Sequence, residues 1–130
     1  MIYQKIRGNI IKRRVNRILP RDYIHVVDLA KAHVIAMKRL FSTKNSTDFE
    51  VFNIGTGRGC SVLEVVKAFE EVTGVKLNYK IVDRRPGDVT TVYADTKKAN
   101  EVLGWKAEKT MEEALESAWK WEQKIRNLKS

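Results

Sequence analysis

Two reciprocal helix starts set the frame of this chain. Ser61-Val62-Leu63-Glu64 and Thr110-Met111-Glu112-Glu113 each place a hydroxyl three residues ahead of a glutamate. In that arrangement the two side chains satisfy each other's backbone N–H groups at a helix N-terminus. The first of these helices is expected to run to about Val72, with Gly74 as its C-cap. The second is expected to reach about Ile125, with Met111, Ala114, Leu115, Ala118 and Trp119 as its apolar stripe and Trp121 widening it. A third start is expected at Asp28, a favourable N-cap residue. Beyond it Leu29, Ala32, His33, Ala36, Met37 and Leu40 recur at helical spacing up to about Phe41. Asp95 opens a short helix through Leu103, which Gly104 stops. Between these helices, residues 23–27, 49–54 and 77–82 are rich in β-formers or alternate in polarity and read as strands. Residues 89–93 form a short extended segment, and residues 42–48 a polar loop. Strands alternating with helices predict an α/β fold with parallel pairing.

The 130 residues suffice for one domain with a core. With 43% hydrophobic and 32% charged residues, the composition is that of a soluble globular protein. No apolar run approaches the ~20 residues that cross a bilayer, so no membrane partner is expected. The N-terminus lacks the apolar segment of an export signal. Cys60 is the only cysteine, which excludes an intrachain disulfide and a cysteine-built zinc site. The compartment this predicts is a reducing cytoplasm. The net charge of +9 is uneven: residues 1–20 hold six of the 25 bases and none of the 16 acids. Lys5, Arg7, Lys12, Arg13, Arg14 and Arg17 thus make a basic lead-in, readable as a helix or a marginal strand. Without interleaved aromatics it can neutralise nucleic-acid phosphates only non-specifically, and a solvated arm has the same composition.

The segment with the most chemistry is Asp83-Arg84-Arg85-Pro86-Gly87-Asp88. Pro-Gly presets a tight turn. Arg85 beside it could offer a planar fork to a phosphate, and the acceptor oxygens of Asp88 suit hydroxyls such as those of a ribose. A solvated surface turn has the same residues. Gly55-Thr56-Gly57-Arg58-Gly59-Cys60 follows a strand and precedes a helix, as a dinucleotide fingerprint does. Gly55 and Gly57 fit that pattern, but position 60 is Cys and no acidic residue is well placed about 20 residues on. A tight turn with Ser61 capping the next helix is the expected role. Tyr93 and Lys97 have Tyr-x-x-x-Lys spacing, but Tyr93 precedes the cap at Asp95, so the pair is not expected on one helix. Asp22, His25, Asp28 and His33 lack metal-ligand spacing and are expected to be structural polar groups.

Taken together, RDYIHVVDLA, VFNIGTGRGCSVLEVV, VDRRPGD, VYADTKKANEVLGW and the Trp-containing last helix resemble the C-terminal end of the UDP-glucose 4-epimerases, which are extended short-chain dehydrogenases/reductases. The resemblance covers about residues 20–126. It implies a small, partial Rossmann-like substrate domain over residues 21–130, preceded by the basic lead-in over residues 1–20. It further implies that Arg21 and Arg85 contact the pyrophosphate of UDP, that Asp88 contacts the ribose, and that Val92 lines the sugar pocket. The family's glycine-rich nicotinamide half, its catalytic Ser or Thr and its Tyr-x-x-x-Lys have no counterpart in these residues. Residues 15–20 also replace the glycine-containing loop that the family carries before RDYIHV. The resemblance therefore implies UDP or UDP-hexose binding, with no NAD held, no catalytic residue and no turnover by this chain alone. The other role left open is association: with itself, with a nucleotide-binding half, or with polyanions through the arm. Ile24, Val26, Val51 and Phe52 are expected in the core, with Met111 and Trp119 nearer an uncovered face.

Overall fold

The computed structural model describes residues 20–82 and 91–128, together with the backbone of residues 13–16. Strand β1 (Arg13–Asn16) pairs in parallel with strand β2 (Tyr79–Val82), Arg13 opposite Tyr79 and Asn16 opposite Val82. Four residues of the basic lead-in are thus strand. The pairing is parallel as expected, and β2 begins two residues later than its sequence suggested. Helices α1 (Val26–Phe41), α2 (Val62–Thr73) and α3 (Met111–Leu128) and a π-helical turn (Ala99–Leu103) supply most of the remaining regular structure. No described helix is long and apolar enough to cross a membrane.

Local chemistry accounts for the helix ends. Ser61 and Glu64 complete the reciprocal cap of α2, with Glu64 N–H donating to Ser61 Oγ at 3.3 Å and Ser61 N–H to Glu64 Oε2 at 2.7 Å. Thr110 and Glu113 do the same for α3. Gly74 and Gly104 take the left-handed conformation, φ 68° and 64°, that ends α2 and the π-helical turn. Asp95 accepts the Lys97 N–H at 3.1 Å, so Tyr93 stays outside the short helix, as its position before the cap predicted.

The start of α1 corrects the sequence reading. Val26 and Val27 lie in the first helical turn, not in a strand, and the N-cap is His25, whose Nδ1 accepts the Val27 N–H at 3.0 Å. Asp28 sits one turn in, where a negative charge suits the helix dipole. It is fully buried, and Oδ2 accepts the N–H groups of Glu108 and Lys109 at 3.0 and 2.8 Å. The expected strand at residues 49–54 is not one either: its backbone meets no other backbone among the described residues.

Ala32 of α1 and Ala99 of the π-helical turn meet at Trp105, with Ile24, Ile35, Phe52, Ile54, Leu103 and Ala107 around them. Trp105 Nε1 donates to the Asp28 carbonyl at 3.1 Å, which satisfies the indole inside the core. α2 packs on α3 through Phe69 and Trp119, edge to face at 5.6 Å. Ile24 and Phe52 take the inward places predicted for them. Val26 and Val51 do not: both are exposed, and neither lies in the strand expected to contain it. Trp121 is exposed too and does not widen the α3 stripe.

Arg39 and Glu50 tie α1 to the segment after it, with Nε–Oε2 at 2.8 Å and Nη2–Oε1 at 3.1 Å. The Arg39 guanidinium, aided by Ser46, holds the Glu50 carboxyl down to about 2 from its ordinary 4.5. A depressed carboxylate stabilises the fold above its unfolded pKa, and that stabilisation fades as pH falls through the folded one. The melting temperatures of wild type and Glu50→Gln should therefore differ at pH 7 and converge between about pH 4.5 and pH 2. A gap of constant size across that range would contradict the pairing.

Candidate functional site

Three segments distant in sequence are stitched together at Pro20, Arg21 and Asp22. Arg21 N–H donates to the Cys60 carbonyl and Cys60 N–H to the Arg21 carbonyl, both at 2.9 Å. On the other side the Val92 N–H donates to the Pro20 carbonyl at 3.1 Å. Arg21 is thus bridged to Cys60 in antiparallel sense and to Val92 in parallel sense. Two of the four residues expected to meet UDP, Arg21 and Val92, are backbone neighbours. The other two, Arg85 and Asp88, lie outside the described residues, on the stretch between β2 and Val92. Arg21 is half-buried, and its Nη1 donates to the Pro20 carbonyl at 3.2 Å.

Asp22 locks this junction. Its carboxylate accepts the Thr56 hydroxyl, the N–H groups of Thr56 and Gly57, and the Ala94 N–H at 3.2 Å. Burial alone would raise its pKa, but these hydrogen bonds, the Thr56 hydroxyl foremost, outweigh it and hold the carboxyl below its ordinary range. The glycines of Gly55–Cys60 answer to the same junction. A β-carbon on Gly55 would lie 2.5 Å from Asp22 Oδ2 and 2.7 Å from Ala94 Cβ. One on Gly59 would lie 2.7 Å from Pro20 Cβ. This loop uses its glycines to approach residues 20–22 and 94, which agrees with the tight-turn role expected of it.

The remaining polar groups have structural partners. His25 Nε2 meets Ser117 Oγ at 3.1 Å, and His33 Nδ1 lies 2.8 Å from the Leu29 carbonyl oxygen. No three His, Cys, Asp or Glu side chains among the described residues gather to hold a metal. Burial pushes the Cys60 thiol up, and Glu64 adds to the shift, so it is no activated thiolate. Burial likewise raises the Tyr23 phenol, with the nearby Arg21 charge acting the other way. An open depression of about 590 Å³ lies on the Tyr93 side of the junction, lined by Gly57, residues 93–97, Asn100 and Glu101. Neither Arg21 nor Val92 lines it, so it is not the site their pairing defines. The sequence reading missed the part played by Asp22 and Thr56. Asp22 stood out only as one acid among possible ligands, and nothing local points to amides 34 and 72 residues away.

The sequence and the fold have known counterparts. The sequence profile of the GDP-mannose 4,6 dehydratase family matches residues 8–118, and the chain belongs to that family. It is 51% identical over 102 residues to the UDP-glucose 4-epimerase of Bacillus subtilis, a match that covers 78% of this chain and 29% of that protein. Among solved structures, it resembles UDP-glucose 4-epimerase from Stenotrophomonas maltophila with bound NAD and formylated UDP-arabinopyranose (TM-score 0.81, 38% identity, 90% of this chain and 36% of that one). It also resembles the Bifidobacterium longum enzyme in complex with NAD+ and UDP (TM-score 0.76, 41% identity, 92% and 37%). The chain therefore spans about three-tenths of the length of the curated relatives it matches, in keeping with the C-terminal portion that its motifs resemble.

Proposed function

We propose that this chain is the UDP-hexose-binding portion of a UDP-glucose 4-epimerase-like protein. The observation that carries the reading is the bridging of Arg21 to Val92, which sets two of the four expected contact residues side by side. The Arg21 guanidinium meets the pyrophosphate with a permanent charge and planar donors. Arg85 faces the same phosphates and Asp88 accepts the ribose hydroxyls, while Val92 walls the sugar. NAD belongs to the family's other portion: the chemistry it supplies there is a hydride shuttle at the sugar. No residue of this chain is assigned to hold it or to act as the base, so the isolated chain binds and does not turn over. The compartment that goes with this reading is the cytoplasm.

A second reading, an association module, is favoured by the exposed apolar side chains of α1 and of residues 49–51. Calorimetry separates the two. With only part of a nucleotide-sugar pocket, UDP should bind no more tightly than about millimolar, roughly −4 kcal/mol. It should nevertheless outcompete inorganic pyrophosphate. Equal binding of the two anions would mark a generic basic surface and reject the site.

A further inference from the structure

Residues 20–22 and 91–94 meet in parallel sense, and one carboxylate sets where they meet. Among the described residues a single backbone hydrogen bond joins the two segments, from the Val92 N–H to the Pro20 carbonyl at 3.1 Å. In a parallel ladder the next rung would run from the Ala94 N–H to the Asp22 carbonyl. Here the Ala94 N–H donates to Asp22 Oδ2 instead, at 3.2 Å. The side chain of Asp22 thus stands in for its own backbone carbonyl. The same carboxylate takes the Thr56 and Gly57 N–H groups at 2.9 and 3.0 Å, and the Thr56 hydroxyl. It is therefore fixed from the other side by the loop that also bridges Arg21 through Cys60. What this anchors is a choice of side. Val92 and Tyr93 are adjacent, and neighbours in an extended segment point to opposite sides. Tyr93 lines the open depression and Val92 does not. Slipping the pairing by one residue would exchange them.

Resting on the UDP-hexose reading above, we infer that Asp22 is a positioning residue for sugar recognition: its carboxylate fixes the register that turns Val92, and not Tyr93, toward the hexose. One backbone bond between two short segments does not set a register alone, since a slipped pairing can make one as well. The carboxylate does, because Thr56 and Gly57 hold it in place and it then meets one amide of the facing segment, that of Ala94. An anion suits this task because all four donors aim a hydrogen at it. The amide of Asp22→Asn would turn N–H groups toward these donors and leave at least one of them without an acceptor. A slip that brings tyrosine to the place of valine narrows the space for the hexose and leaves Arg21 to hold the phosphates. UDP, which carries no hexose, should be affected less than UDP-glucose.

The test is an NMR titration of the full chain with UDP and with UDP-glucose, at a temperature well below the melting of every variant. In Asp22→Asn the affinity for UDP-glucose relative to UDP should fall at least roughly threefold, while UDP still binds. The amides of Val92 and Ala94 should exchange faster in that variant. Thr56→Val takes away one hydroxyl and leaves the three amides, so it should move the ratio in the same direction by less. Thr56→Ser should restore it. Trp105→Phe loosens the core and should leave the ratio at its wild-type value, which tells general loosening apart from a lost register. A ratio unchanged in folded Asp22→Asn, or shifted equally by Trp105→Phe, would overturn the inference and leave the UDP site standing. Where Asp22→Asn does not fold, the ratio in Thr56→Val decides in the same way. Failure of the wild-type chain to bind UDP would overturn the site and the inference with it.

Discussion

Asp22→Ala should destabilise the domain by about 3 kcal/mol or more. Its carboxylate accepts from Thr56, Gly57 and Ala94. Hydrogen bonds to a charged group are worth roughly 1.5–3 kcal/mol each, although bonds that share one carboxylate do not add in full. Removing the carboxylate also leaves three N–H groups without their acceptor in a part-buried junction. Against a total stability of roughly 5–15 kcal/mol this is a large fraction, and it should lower the melting temperature by about 10 °C or more. Asp22→Asn should fall between wild type and alanine, because an amide keeps one acceptor oxygen and loses the charge. Urea melts of the three proteins measure this. An Asp22→Ala protein as stable as wild type would show that the junction does not hold these segments together.

Trp105→Ala should have the larger effect on stability. The side chain is buried against Ala32 and Ala99 and bonds the Asp28 carbonyl. Removing a buried tryptophan costs about 3–5 kcal/mol through lost transfer energy and the cavity left behind, and here an indole hydrogen bond goes with it. Trp105→Phe keeps much of the volume and should cost clearly less. The protein with alanine should be partly unfolded at room temperature, read as loss of cooperativity in the urea melt. A sharp transition at the wild-type midpoint would contradict the placement of the core.

The features that could be read from sequence are those decided within one turn of chain. The caps at Ser61 and Thr110, and the stops at Gly74 and Gly104, depend on neighbours three or four residues away. What escaped reading depends on distant partners. His25 displaced Asp28 as the α1 cap because the Asp28 carboxylate is taken by amides 80 and 81 residues on. Residues 49–54 have strand composition, but β-propensity reports a fit to a half-buried pleated surface and not a partner. The same limit explains the exposure of Val26 and Val51. Motif order put forward Arg21, Arg85, Asp88 and Val92 as UDP contacts, and the fold adds only that the backbone of Val92 bonds Pro20 and that of Arg21 bonds Cys60.

The most direct test of the UDP-binding account is an NMR titration of the full chain with UDP, repeated on Arg21→Ala and Arg85→Ala. Losing one arginine from the phosphates should weaken binding roughly ten- to a hundredfold, which from a millimolar baseline leaves no measurable binding. The account predicts shifts confined to residues near 21 and 84–93 in the wild type, absent from both variants. Shifts centred on residues 5–17 and unchanged in the variants would contradict it.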